Sequence, residues 1–160
     1  MEKQLIHLLE KEKIVEAISR FFNAVDDKQL NAGIIRATFT DDAVIIKPNG
    51  MISTGRENIL EDYLKSFARF KSTHHITSDH IINFKDQNAV IRLNLTAMHM
   101  WGDDHENKSL HGKYFHAGGV LNANAQKTEG AWKINKWMFN VVWRSGEGLQ
   151  EMVKMVGKDN

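Results

Sequence analysis

The chain has no cysteine, and that absence removes disulfide bonds, thiolate nucleophiles and Cys-ligated zinc. It suits a reducing compartment, so a cytoplasmic location is expected. A surplus of charge of one sign is also lacking: 21 Lys and Arg stand against 20 Asp and Glu, a formal net charge of +1. No overall field draws the chain to nucleic acid or to an anionic membrane surface. Basic clusters such as Lys11-Glu12-Lys13 are interrupted by acids and read as solvated faces. No apolar run is long enough to cross a bilayer. The N-terminal MEKQLIHLLEKEK carries acids inside its apolar part and no small-residue cleavage site, which speaks against a signal peptide. Repeats, low-complexity tracts and shifts of composition are absent as well. With 160 residues, 42% hydrophobic and 26% charged, the expectation is one domain with its own core over residues 1–145, followed by a tail or short helix at 146–160.

Within residues 14–25 the apolar positions Ile14, Ala17, Ile18, Phe21, Phe22 and Val25 have the spacing of an amphipathic helix, which Leu5, Leu8 and Leu9 extend toward the N-terminus. An acidic corner, Asp26-Asp27-Lys28, leads to a shorter helical pattern at 30–39. Thr40-Asp41-Asp42 breaks it, residues 43–46 form a short strand, and Lys47-Pro48-Asn49-Gly50, with the only proline, is a turn. Thr54-Gly55-Arg56-Glu57 has the form of a capping box, opening a third helix with Ile59, Leu60, Tyr63, Leu64, Phe67 and Phe70 on its inner stripe. Long strand patterns follow at 74–101, as a hairpin, and at 110–122 and 131–144. In the last of these the alternation slips between Ile134 and Trp137, which predicts a bulge. A weak amphipathic set, Leu149, Met152, Val153 and Val156, marks the tail. Helices first and strands after predict an α+β fold, a curved antiparallel sheet closed by three N-terminal helices into a cone with a pocket in its mouth.

The stretch 74–101 carries the chemistry. Ile91, Leu93, Leu95 and Ala97 alternate with polar residues, and the same parity reaches His99 and Trp101. A histidine thus stands where the pattern asks for a hydrophobe, and an inward imidazole needs a partner or accepts a depressed pKa. The polar break Lys85-Asp86-Gln87-Asn88 folds the stretch back so that His75 comes alongside His99. His74 lies on the alternate face, His80 is structural, and His105 and His111 belong to a surface loop. By parity His116 groups with Tyr114 and Gly118, and these are expected to face inward. The histidines have no recognised metal-ligand spacing, so no metal is expected.

The succession RFFNAVDDKQL, FTDDAVI, TGRENILEDYL, HHITS and WKINKWMFNVVWRSG resembles the SnoaL-like branch of the nuclear transport factor 2-like superfamily over about residues 11–145. That superfamily includes scytalone dehydratase, bile acid dehydratase, ketosteroid isomerase, limonene epoxide hydrolase and polyketide cyclases. The resemblance implies a cystatin-like cone. It assigns Asp26 to an aspartate after the first helix, His75 to a histidine at the head of the first long strand, His99 to a second histidine on the next, and His116 to a hydrogen-bonding position on the third. Tyrosines that assist the reaction in the dehydratases would fall near Phe21, Val25 and Ile46; this chain has none there, and Tyr114 is a substitute from another strand.

An aspartate and two histidines around an apolar hollow form a general acid/base set, able to move a proton next to a carbonyl without a metal or redox cofactor. The expectation is a cofactor-independent dehydratase-type lyase or isomerase for a hydrophobic cyclic or polyketide-like molecule. Asp26, His75 and His99 are its acid/base set, and Phe22, Trp101, Tyr114, His116 and Arg144 contact the substrate. Two alternatives stand beside it: a non-catalytic module holding a hydrophobic ligand, and an oligomer-forming subunit resembling the small subunit of ring-hydroxylating dioxygenases, whose pocket would be filled. Tryptophans and Met98 on the outer face of the sheet predict a homo-oligomer, most simply a dimer.

Overall fold

Helices come first and strands after in the computed structural model, which describes residues 1–154. Helix α1 (Glu2–Asp26), helix α2 (Ala32–Thr38), strands β1 (Phe39–Ile46) and β2 (Ile52–Thr54) and helix α3 (Arg56–Phe67) precede four long strands. These are β3 (Phe70–Lys85), β4 (Asn88–Trp101), β5 (Tyr114–Thr128) and β6 (Ala131–Gly146), and a short helix α4 (Leu149–Val153) follows. Leu149, Met152 and Val153 of the expected tail helix lie in α4, whereas Val156 falls outside the described residues.

Several boundaries differ from the pattern. Leu5, Leu8 and Leu9 do continue α1, but each stays more than half exposed, so the first turns project past the core. The second helix stops at Thr38, and Thr40-Asp41-Asp42 is strand, not break. Phe39, Thr40 and Ala43 are buried while the adjacent Asp41 and Asp42 both point to solvent, and the ladder to the last strand is irregular between Phe39 and Val44, so the acidic pair rides on a bulged part of β1. The capping box is not formed. Gly55, at φ 85°, is the cap residue of α3 and receives no side-chain bond, because Thr54 belongs to β2 and its carbonyl accepts from Asn58 Nδ2 at 2.8 Å. The first hairpin starts earlier than expected, at Phe70, and the second strand of the other pair runs to Gly146.

The six strands lie in the order β2-β1-β6-β5-β4-β3, an open curved sheet with β2 and β3 at its edges. Its pairs are antiparallel except β1 with β6, which run parallel. In β4 the side chains from Ala89 to Trp101 alternate without a slip, and every second one is buried. Two residues of β6, Asn135 and Val142, have no counterpart on β5. Such bulges bend a strand and turn the side chains beyond them to the other face, and the first sits where the sequence pattern slipped.

The helices fill the concave face. Phe21 of α1 is fully buried and meets Phe22, Phe39, Tyr63 and Trp137 edge-on at ring separations of 5.1–5.4 Å, an arrangement that suits the quadrupoles of aromatic rings. A second, smaller cluster joins Phe70, Trp101, Leu110, Phe115 and Ala117. Phe67 touches both clusters, and the space between them is left open.

Glu10 fixes α1 against the far end of the sheet. Its carboxylate accepts from Lys127 Nζ at 2.7 Å, Trp132 Nε1 at 2.6 Å and Lys13 Nζ at 2.6 Å. The bonds to Lys127 and Lys13 hold its carboxyl down at about 2, against the opposing effect of burial. A folded-state pKa below the unfolded value means stability that is present above about 4.5 and lost as pH falls toward about 2. Glu10→Gln should cost about 1 kcal/mol at neutral pH, a hydrogen bond to a charged group on a partly exposed site. Urea unfolding should show the deficit at pH 7 and its disappearance near pH 2.

Candidate active site

The last residue of α1 is Asp26, and a carboxylate at a helix C-terminus faces the negative end of the helix dipole. What keeps it there is the edge strand. Asp26 Oδ2 accepts the His75 backbone N–H at 2.8 Å, and Oδ1 accepts from the Thr73 hydroxyl at 2.7 Å and lies 2.6 Å from His75 Nδ1. Burial pushes the Asp26 carboxyl up, but the His75 ring, its charge, its backbone N–H and the Thr73 hydroxyl together outweigh that and leave it below the usual value. Lys28, in the left-handed region just past the helix, donates to the Phe70 carbonyl at 2.6 Å and pins the corner to the start of β3.

An ionised carboxylate only accepts, so His75 carries its proton on Nδ1 and leaves Nε2 with a lone pair. The ring is held flat by Phe22, stacked at 4.9 Å with an interplanar angle of 21°. Both Phe22 and His75 line a cavity of about 200 Å³ between the two hydrophobic clusters. His99 lines it too, its ring 5.7 Å from that of His75 and nearly perpendicular to it. His99 Nδ1 is 3.2 Å from the Phe115 carbonyl. A carbonyl cannot donate, so the proton again sits on Nδ1 and Nε2 is the free acceptor. Burial, then the positive charge that His75 carries whenever it is protonated, push His99 down to about 4, opposed by the Phe115 bond.

The rest of the lining is apolar at depth and polar at the mouth. Leu95, Ala97, Phe115, Ala117, Trp137, Phe139 and Val141 come from the sheet, and Tyr63 and Phe67 from α3. Burial pushes the Tyr63 hydroxyl up, so it stays protonated. At the mouth stand Lys47 and Asn49 of the turn after β1, Asp62, Arg69, Arg144 and the side chains of α4. Arg69 Nη1 donates to the Glu151 carbonyl, Asn49 Nδ2 to that of Val153 at 3.4 Å, and Trp101 Nε1 to that of Glu147 at 2.8 Å; these bonds seat α4 beside the opening.

Of the residues expected from sequence, His75, His99, Phe22 and Arg144 line the cavity and Asp26 backs it through His75. Three do not reach it. Trp101 is inward but completely buried in the second cluster, one row beyond the hollow. Tyr114 and His116 share a face with Gly118, as parity required, but it is the outer face; their neighbours Phe115 and Ala117 point in. Gly118 explains the choice, because a Cβ there would lie 2.4 Å from the Trp143 indole, and that ring, edge-on to His116 at 4.7 Å, covers the outer surface. Trp143 is therefore outside also, turned away by the bulge at Val142. His74 is exposed as expected. His80 is half-buried, and its Nε2 has no partner among the described residues. His105 and His111 bond within their own loop, His111 Nε2 donating to the His105 carbonyl at 2.7 Å. Tyr63, Phe67 and Arg69 were missed as site residues. Tyr63 and Phe67 were legible as the inner stripe of α3, though not as walls of a void.

A histidine that stays neutral when folded opposes folding in acid. Unfolded His99 titrates near 6.5 and folded His99 at about 4, so stability is full above 6.5 and is lost as pH falls toward about 4. Urea midpoints measured across this window should fall more steeply for the wild type than for His99→Gln. Parallel curves would contradict the buried, neutral assignment.

Comparison with other proteins agrees with this fold. No curated protein matches the chain. Solved structures do: a Kribbella flavida protein is 18% identical, with 92% of this chain and 98% of that one aligned at a TM-score of 0.77. A candidate scytalone dehydratase from Novosphingobium aromaticivorans is 18% identical over 89% of this chain and 91% of its own, at 0.75. A type 2 hexachlorocyclohexane dehydrochlorinase is 14% identical over 91% and 94%, at 0.77. At such identities the likeness establishes the fold, which is also that of a nuclear transport factor 2-like protein from Salmonella enterica, 18% identical over 89% of this chain and 98% of that one with a TM-score of 0.72. The model of the SnoaL-like domain matches residues 7–138, most of the length, and the chain belongs to the SnoaL-like domain family.

Proposed function

We propose that this domain is a lyase or isomerase that removes a proton from carbon beside a carbonyl in an apolar cyclic molecule, without a metal or redox cofactor. The observation that carries the reading is the Asp26–His75 pair, in which Nδ1 is engaged by the carboxylate and the ring lines an apolar hollow. Asp26 acts as a positioning residue: it fixes the tautomer and stabilises the imidazolium that forms when Nε2 takes the proton. In a dehydration, the electron pair of the broken C–H bond forms the new double bond and the hydroxide leaves with the proton that His75 returns to it. In an isomerisation the same proton goes back to another carbon. Within the acid/base set of Asp26, His75 and His99, His99, neutral and with an acceptor Nε2, receives a hydrogen bond from a substrate hydroxyl and orients it. The neutral Tyr63 hydroxyl, on the opposite wall, takes the role of donor that no tyrosine near Val25 or Ile46 can fill.

Two neighbours in fold carry names of elimination reactions, scytalone dehydratase and dehydrochlorinase, and this supports the reaction class. The reading as a filled structural subunit is disfavoured by the open cavity. The outer face, with Val90, Tyr114, Val142 and Trp143 exposed, supports a homodimer, for which sedimentation should give twice 18.3 kDa.

The proton step can be tested without knowing the natural substrate. In deuterated buffer the wild-type protein should accelerate exchange of the α-hydrogens of 2-tetralone, an apolar bicyclic ketone, as followed by proton NMR. His75→Ala should lower the acceleration by about 10²–10⁴-fold and Asp26→Asn by a smaller factor, with circular dichroism unchanged. Exchange no faster than in buffer, or unaffected by His75→Ala, would refute the assignment.

A further inference from the structure

The mouth of the cavity is not electrically balanced. Lys47 is 3.2 Å from Asp62, and Lys154 bonds Glu151 at 2.8 Å, so two of its cations are matched by acids. Arg69 and Arg144 are left, and neither has a carboxylate partner among the described residues. Arg69 is committed to two carbonyls, those of Ser66 and Glu151. Among the described residues Arg144 has no such commitment.

Arg144 is also where it is for a reason that packing does not supply. Unbroken alternation after Trp137, Phe139 and Val141 would send Trp143 inward and Arg144 to solvent. The extra residue at Val142 reverses this: Trp143 pairs with outward Gly118 and Arg144 with inward Ala117. A bulge that replaces an inward tryptophan by an inward arginine forgoes apolar burial and gains a positive charge at the rim of an oily hollow. Bulges of this kind next to sites re-aim a side chain.

The register then gives a scale. Reading straight across four strands, His75 is opposite Ala97, Ala97 opposite Ala117, and Ala117 opposite Arg144. The two alanines form a floor between an imidazole on one side and a guanidinium on the other, both lining the same cavity. Three strand spacings separate the end positions, about 14 Å along the sheet. The side chains reach inward from both ends, so the remaining gap matches a molecule of one or two fused rings.

We infer that Arg144 is an anion subsite, and that the molecule bound in the cavity carries a carboxylate at the end opposite the carbon presented to His75. This rests on the functional reading above for the role of His75, but the subsite itself is a claim about binding. The guanidinium fork pairs both oxygens of a planar carboxylate, and Arg144, exposed at the mouth, is open to such a partner. The charge of Arg69, felt as far as His99, adds to the positive potential without making the contact. An apolar acid is thereby oriented end to end, ring over Ala97 and Ala117, and cannot bind reversed without placing its charge beside Asp26.

The test compares 2-naphthoate with 2-naphthamide, equal in shape and different in charge, by quenching of tryptophan fluorescence, since Trp137 lines the cavity. Wild-type protein at pH 7 should bind the acid on the order of tenfold more tightly than the amide. Arg144→Gln should reduce the ratio to about one by weakening the acid alone, and Arg144→Lys, which keeps charge without the fork, should leave an intermediate ratio. His75→Ala should keep the preference. Equal binding of acid and amide by the wild type overturns the subsite while leaving the hollow as a ligand site, and so does a preference lost in His75→Ala but kept in Arg144→Gln. Binding of neither probe overturns the subsite together with the hollow as a place for bicyclic molecules. The exchange assay follows the proton step at His75 on a neutral ketone and the binding assay compares charge at the far end, so failure of this inference and failure of the catalytic reading give different results.

Discussion

One contact organises the molecule: a carboxylate at the end of α1 bonded three times to a single edge strand. Asp26 sits at the wrong pole of its helix, and without Thr73, the His75 amide and the His75 ring it would be expelled to solvent. With them, the longest helix is tied to the outermost long strand, and a histidine is held against Phe22 with one nitrogen free. The same bonds therefore fix the angle of α1 on the sheet, the tautomer of the ring and the wall of the cavity. Fold and site are not separate achievements here.

Electrostatics divides the two histidines. His75 has a charged partner at 2.6 Å, while His99 has only a carbonyl at 3.2 Å and deep burial. Rings 5.7 Å apart cannot both be protonated in a dry pocket at acceptable cost. Burial keeps His99 neutral, and in the proposed reaction the ring backed by the carboxylate takes the proton while His99 orients the substrate. The same side chain meets two different surroundings.

Much of this was legible in the residues. The inward parity of His99 followed from four alternating apolar positions in β4, the stripe of α1 from its 3.6-residue period, and the bulge near Asn135 from the slip between Ile134 and Trp137. What was not legible has physical causes. Parity says which residues share a face but not which face is inner, and Tyr114 and His116 were turned out because Gly118 leaves room for Trp143 there. The Val142 bulge has no glycine or proline on its own strand to announce it; the glycines that accommodate it, Gly118 and Gly119, lie opposite on β5. The turn-forming Thr40-Asp41-Asp42 was taken into β1 because the residues on either side of it, Phe39 and Val44, pair with Ile134 and Lys136 of β6, a tertiary fact invisible in a local window. For the same reason Thr54 was taken into a sheet and its cap was lost. Tyr63 and Phe67 were recognised as inner residues, but whether an inner residue borders packing or a void depends on what the opposite wall leaves empty.

The parallel pairing of β1 with β6 has a bearing on how the chain comes together. Phe39 is aligned with Ile134, about 95 residues downstream, so the first strand made is finished by the last. Until β6 exists, β1 and its hairpin partner β2 have no sheet to join, and Phe21 lacks the indole of Trp137 that closes its aromatic shell. Contacts so distant in sequence are slow to form, since the loop between them must be ordered before it is rewarded. The helical half emerging during synthesis is consequently an oily, unfinished surface, and the hollow between the two clusters comes into being only when the final strand clicks into its parallel place.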